Sequence, residues 1–423
     1  MKLHHVIFLS ILLLSLEVFA QRDVNYEEDK IPSYQLPDLL ILSNGEGVED
    51  VDDWEQKRRP EILKLFKDEV YGSIPNIDLS PTSIEILESN SALDGTAVRR
   101  QIAIDYNRNG KDLRINVLLY LPKGIASPPM FVGYDFYGNQ TVIDDPNIVL
   151  TNSWVRNNKD MGITDNSASE TSRGKRSHRW AIPKIISEGF GIALIYYGDV
   201  DPDKDDLSDG VHALLYEDAQ VRPKEDEWGA ISAWAWGFSE VLSVLMKDDA
   251  LIESKFISFG HSRLGKTSLW AGALDERFDL VISNDSGCGG AALFRRKYGE
   301  TAAVINKSFP HWFNANFKKY SANEDALPVD QHMLIALMAP RPVYIASAED
   351  DRWADPKGEH LSGYHASPIY ELYGQTGLIN PDQPQIHEPT HNSIGYHIRA
   401  GKHDVTAYDW EQFIKFAKGH FDE

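Results

Sequence analysis

The sequence predicts an α/β protein: a mostly parallel central sheet between two layers of helices, a three-layer α/β/α sandwich with inserted loops. Three observations predict it. From Gly189 onward, apolar runs of strand length alternate with helix-length amphipathic runs, the pattern of parallel strands joined by right-handed crossovers. Gly189 to Tyr197 is apolar throughout, as a strand covered on both faces must be. Phe256-Ile257-Ser258-Phe259-Gly260-His261-Ser262 then runs straight into Arg263-Leu264-Gly265-Lys266 and the helix-compatible Thr267 to Leu274. Such a layout delivers a serine onto a sharp turn, and the following helix aims its first N–H groups at the same spot.

Residues 1–20 read as a secretory signal. Lys2, His4 and His5 give a weakly positive start, Val6 to Leu16 is almost wholly apolar, and Val18-Phe19-Ala20 is a small-residue cleavage site. The apolar run is too short to span a bilayer comfortably, and no cysteine follows the cleavage site to carry a lipid anchor. The mature chain is expected to start near Gln21, secreted or periplasmic, without stable membrane insertion. Residues 21–55, with Pro32, Pro37 and the acidic Glu49 to Asp53, read as an extended arm wrapping the domain, which occupies 56–423.

Within the domain, Pro60 to Tyr71 reads as a short amphipathic helix. Thr96 to Tyr106 and Leu113 to Leu121 alternate apolar with polar residues and predict an antiparallel start to the sheet; Pro129 to Tyr134 adds a strand. Residues 139–182 are polar and aperiodic and read as a surface insertion near the strand ends. Gly229 to Met246 has a long apolar helix pattern. After the serine, strands are predicted at Leu280 to Ser283, Arg341 to Ser347 and Ser393 to Arg399. Helices are predicted at Asp330 to Met338, Pro356 to Leu372 and Thr406 to Ala417.

Composition narrows the function. The only cysteine is Cys288, so a secreted chain has no internal disulfide and must rely on a large core. The net charge of −22 repels nucleic acid and anionic membranes. Ten tryptophans and eighteen tyrosines are enough to build a core and still line a carbohydrate groove.

Open α/β sheets bind ligands at the carboxyl ends of their strands. Those ends carry, in order, Ser262, Asp285, Asp351 and His403. Serine, acid, histidine is the chain order of the α/β-hydrolase fold. Ser262 needs a base within hydrogen-bond reach, and His403 can take its proton and return it to a leaving alcohol. A carboxylate must hold the other ring N–H. Asp351, after the penultimate strand, is favoured, with Asp285 as the second candidate. His261 adjoins the serine on a strand, so its side chain is expected on the opposite face as elbow packing.

Arg263 can donate to the oxyanion of a tetrahedral intermediate, a contact whose loss typically costs about 3–4 kcal/mol. Lys266 lies one helical turn on. Arg295 and Arg296 follow the turn Gly287-Cys288-Gly289-Gly290 and belong either to a positive patch for a carboxyl-bearing substrate or to structural ion pairs.

The elbow Gly260-His261-Ser262-Arg263-Leu264-Gly265-Lys266 resembles that of the carbohydrate esterase family 15 glucuronoyl methylesterases. Further segments are similar to bacterial members: Asn284 to Ala292, Leu327 to His332, Ala339-Pro340-Arg341-Pro342, Trp353 to Glu359, and Gly401-Lys402-His403 with Asp409-Trp410. The resemblance covers roughly residues 55–420. It implies metal-free and cofactor-free cleavage of esters between 4-O-methyl-glucuronic acid branches of xylan and lignin alcohols, through an acyl-enzyme. It implies Ser262 as nucleophile, His403 as base, Arg263 as oxyanion donor, and an acid at Asp351 or Asp285. Lys266 and Glu300 would then bond the sugar hydroxyls, and Trp353 would lie against the uronic ring. Two other readings stand beside this one: an acetylxylan-type deacetylase on the same scaffold, and a non-catalytic carbohydrate-binding protein.

Overall fold

The computed structural model describes residues 24–421 apart from 78 and 218. The secretory signal read at 1–20 therefore lies outside the described residues. The strands are β1 (Ser83–Ala92), β2 (Ala97–Arg108), β3 (Lys111–Pro122), β4 (Met130–Asp135), β5 (Gly191–Tyr196), β6 (Phe256–His261), β7 (Leu280–Asn284), β8 (Val343–Ala348), β9 (Thr390–His391) and β10 (Ile394–Arg399). They form one sheet in the order β1-β2-β3-β5-β4-β6-β7-β8-β10-β9. The pairs from β1 to β5 through β2 and β3 are antiparallel, and those from β5 through β10 are parallel. The two-residue β9 closes the other edge antiparallel.

The parallel strands β4 to β8 and β10 are buried along their whole length, which is why they read as unbroken apolar runs. Alternate side chains feed two separate cores. On one face, Met130, Val132 and Tyr134 meet the helices α1 (Ala230–Leu245), α2 (Arg263–Leu274) and α3 (Pro356–Leu372) through Trp234, Phe238, Trp270 and Ile369. On the other, Phe131, Ile257 and Phe259 meet the short helix Ile182–Ser187 and the C-terminal helix α4 (Ala407–Phe421) through Ile185, Trp410 and Phe413. These are the three predicted layers. Among the described residues no helix is long and apolar enough to cross a membrane.

Three elements differ from the sequence reading. β1 was not legible: it is an edge strand exposed along most of its length, and one-sided pairing with β2 stabilises it without an apolar pattern. Helix at the N-terminal side begins at Val51 rather than Pro60, with the Asp50 carboxylate accepting from Asp53 N at 2.9 Å. The charged run Glu55 to Arg59 hides the inward-facing Trp54 and Arg58. The segment 139–182 is not a surface appendage. Gln140, Thr141, Val155, Ile163 and Ser172 are fully buried in it, and Trp410 Nε1 donates to Arg179 O at 2.8 Å, tying it to α4.

The junction of β6 and α2 explains the spacing Gly-x-Ser-x-x-Gly. A Cβ on Gly260 would collide with the carbonyl of Leu264, and one on Gly265 would stand 3.0 Å from Ser286 Cβ. Both glycines let the helix start directly against β6 and β7. Gly260→Ala is therefore expected to lose about 3 kcal/mol or more of stability. Gly419→Ala on α4, where an added Cβ meets nothing within 4 Å, should be neutral or gain up to about 1 kcal/mol. Urea unfolding of the two variants checks this; equal midpoints would mean that the elbow relaxes freely.

Candidate active site

Ser262 sits at the tip of the elbow with φ 60 and ψ −130, a strained backbone for a residue with a side chain. Its N–H donates to Asn284 O at 2.9 Å, which anchors the turn to the end of β7. Asp285 follows β7, Asp351 follows β8, and His403 lies in the loop after β10. All four occupy the carboxyl ends of parallel strands, and all four line one cavity of about 300 Å³.

Asp351 and Asp285 both reach the histidine's neighbourhood: side-chain atoms of Asp285, Asp351 and His403 lie within 4.8 Å of one another. They differ in their partners. Asp351 Oδ2 is 2.6 Å from His403 Nδ1. Asp285 Oδ2 instead accepts from Asp404 N at 3.2 Å and Arg399 Nη2 at 3.4 Å, while its Oδ1 is buried without a hydrogen bond. Burial pushes the Asp285 carboxyl well above its usual range, and the charges of Asp351 and Glu359 add to this. Arg399 holds the histidine loop, donating to the carbonyls of Ala400, Lys402 and Asp404 at 3.2, 3.0 and 2.6 Å. Its Nε is fixed by Asp409 at 2.8 Å.

His261 departs from the face that strand alternation predicts. Its ring stands 4.5 Å from the His403 ring rather than on the far face, because the elbow turns the chain at this residue. Burial holds its pKa well below normal, and His403 and Arg179 depress it further. It is a neutral, packed imidazole beside the exposed one.

Arg263 is held from behind. Its Nη1 pairs with Asp203, and its guanidinium lies over the ring of Trp312 at 4.8 Å. Asp203 also accepts from Trp312 Nε1 at 2.8 Å and Arg156 Nη2 at 2.6 Å, and is 2.8 Å from His311 Nε2. Burial would raise the Asp203 pKa, but Arg263, His311 and Arg156 hold it well below the carboxylate range. Trp312 and Phe309, stacked at 3.7 Å, line the cavity with Lys266, Glu300 and Trp353. Lys266 Nζ donates to Ser286 O and lies 4.0 Å from Glu300 Oε2; burial lowers its pKa and Glu300 opposes this.

Arg295 and Arg296 are not brought to the cavity. Arg295 binds Asp330 at 3.2 Å and Arg296 binds Asp355 at 2.8 Å and Glu28 at 2.7 Å. They are structural ion pairs. Sequence reasoning missed Asp203, which sits in the acid-rich run Asp199 to Asp206 and reads as solvated. It also missed Phe309 and Trp312, which carry no motif, and Glu359. The Glu359 carboxyl accepts from Ser286 N at 2.7 Å, Gly287 N at 2.9 Å and Ser347 Oγ at 2.6 Å, fixing the turn after Asp285.

A family model for fungal glucuronyl esterases matches residues 189–374. A carbohydrate esterase from an unknown prokaryotic organism is 47% identical over 96% of this chain and 94% of its own length. A 4-O-methyl-glucuronoyl methylesterase of Schizophyllum commune is 27% identical over 80% of this chain and 74% of its own. Among solved structures, a promiscuous CE15 esterase from a marine bacterial metagenome superposes with a TM-score of 0.89 at 46% identity, covering 94% of this chain and all of that one. A glucuronoyl esterase from Solibacter usitatus gives 0.85 at 43%, over 93% of this chain and 100% of its own.

Glu359 makes a testable contribution to stability. Burial raises its pKa from 4.5 to about 8, so the fold holds it neutral. Its stabilisation is complete below about pH 4.5, is lost as pH climbs toward about 8, and is flat above. Over that window the wild type should lose unfolding free energy relative to Glu359→Gln by a few kcal/mol. A difference between the two that stays constant from about pH 5 to about pH 8 would mean the carboxyl is ionised in the fold.

Proposed function

The chain belongs to carbohydrate esterase family 15, the glucuronoyl esterases, and on that premise we propose that it hydrolyses glucuronic acid esters of plant or algal polysaccharide through an acyl-serine intermediate. The observation that carries this reading is the 2.6 Å contact of His403 Nδ1 with Asp351, at the rim of a cavity that Ser262, Arg263, Lys266, Glu300 and Trp353 also line.

Ser262 Oγ attacks the ester carbonyl as its proton passes to His403 Nε2. Asp351 holds the Nδ1–H and stabilises the imidazolium that forms. The carbonyl oxygen becomes an oxyanion facing the Arg263 guanidinium and the N-terminal end of α2. Asp203 and Trp312 keep that guanidinium from swinging away. The intermediate collapses, His403 protonates the departing alcohol, and the uronoyl group stays on Ser262. Water then attacks, gives its proton to His403, and releases the uronic acid as Ser262 recovers its own proton.

The acyl cavity supports a sugar rather than an acetyl group. A pyranose ring can lie against Trp353 while its hydroxyls pair with Lys266 and Glu300. An acetyl group offers no hydroxyls to Lys266 and Glu300, both buried in that wall. The signal read at 1–20 fits an enzyme whose substrate is a polymer outside the cell.

Ser262→Ala should abolish release of benzyl alcohol from benzyl glucuronate; full activity in that variant sinks the acyl-serine mechanism. Asp351→Asn should lower kcat by about 10³ to 10⁴, and Asp285→Asn by less than about tenfold. Steady-state kinetics with the reverse order would assign the acid to Asp285.

A further inference from the structure

Ser262, Arg263 and His403 border a second cavity, of about 230 Å³, that contains none of Lys266, Glu300 or Trp353. Its other walls include Phe136, Tyr137, Arg156, Arg176, Arg179 and His261. An ester attacked at Ser262 has an acyl half and an alcohol half, and the two cavities meet at that serine. If the first takes the uronic ring, as proposed above, the second is left for the alcohol.

The charges of this cavity are unbalanced. Arg156 and Arg263 pair with Asp203, and Arg179 Nε lies 2.5 Å from Asp404 Oδ1. Arg176 has no such partner among the described residues. Its Nε is buried without a hydrogen bond, and its guanidinium stands 5.6 Å from the Tyr137 ring centroid. Arg179 beside it has its pKa lowered to about 10, by burial first and by Arg176 next. Two guanidinium groups thus repel each other in a half-buried wall, inside a chain of net charge −22. A carboxylate or sulfate would relieve that repulsion, since an oxyanion accepts the parallel N–H groups of arginine. The Phe136 and Tyr137 rings provide apolar surface for the rest of the alcohol.

We propose that this second cavity is the alcohol subsite, and that it selects leaving alcohols bearing an oxyanion, carboxylate or sulfate, which Arg176 and Arg179 bind. The selection acts on the departing half of the ester and so is separate from recognition of the uronic ring.

The test compares glucuronate esters of 4-carboxybenzyl alcohol and of its neutral isostere 4-carbamoylbenzyl alcohol, with a 4-sulfated benzyl ester as a third arm. In the wild type at low salt, kcat/KM for the carboxylate ester should exceed that for the amide by about tenfold, and the ratio should shrink toward one in about 0.5 M salt. The sulfate arm shows which oxyanion is preferred. Arg176→Gln should bring the ratio close to one, and Arg176→Lys should keep part of it. Equal turnover of the charged and neutral esters in the wild type overturns the subsite and leaves the esterase reading standing. A ratio unchanged in Arg176→Gln also overturns it. If Arg176→Gln does not fold, the wild-type ratio and its salt dependence decide. Failure to cleave any of the three, with acetylated xylan cleaved, overturns the uronate reading and the alcohol assignment with it.

Discussion

α2 can begin at the very end of β6 only because no side chain stands between Gly260 and the carbonyl of Leu264. That close approach goes with a positive φ at Ser262, φ 60 and ψ −130, at the rim of the sheet. The rest of the site depends on it. Asp285, Asp351 and His403 lie at the ends of neighbouring parallel strands, so the sheet spacing brings them to the serine without any local sequence relation. Gly265 repeats the same device one step further, letting the helix approach the turn after β7.

Charge is then used to hold what backbone alone leaves free. Two clamps do most of this. Arg399, bound to Asp409, gathers three carbonyls of the loop that carries His403. Asp203 gathers Arg263, Arg156, His311 and Trp312. Buried ion pairs of this kind add little net stability over apolar packing, because desolvation offsets much of their attraction. Their value lies in geometry: each converts a long side chain or a mobile loop into a fixed donor. Arg263 and the loop of His403 are thereby held in place beside Ser262, and under the proposed mechanism fixed dipoles at those positions are where catalysis gains most. Among the described residues Arg176 is an exception in this balanced arrangement, and the proposed alcohol subsite would give that imbalance a chemical meaning.

Much of this was legible in the chain. The parallel strands announce themselves because burial on both faces requires unbroken apolar runs, and the helix Pro356–Leu372 has the same bounds in sequence and structure. Ser262, Asp285, Asp351 and His403 can be found by reading strand ends. β1 could not be found this way, since an edge strand is stabilised by its neighbour's hydrogen bonds rather than by its own pattern. His261 misled because it is the last residue of β6, where the elbow already turns the chain away from regular alternation.

The sequence by itself determined the layered fold, the elbow and the set of residue types at the strand ends. These follow from local rules: periodicity, glycine at close approaches, and the direction of parallel strands. Only the tertiary structure decided which aspartate touches His403, and that Arg295 and Arg296 serve the fold. The same holds for the role of Asp203, in an acid-rich run, as the anchor of Arg263. Those outcomes turn on small differences in distance between groups 35 or more residues apart. Two carboxylates of the same type at equivalent strand ends look alike in sequence, and only their neighbours in space distinguish them.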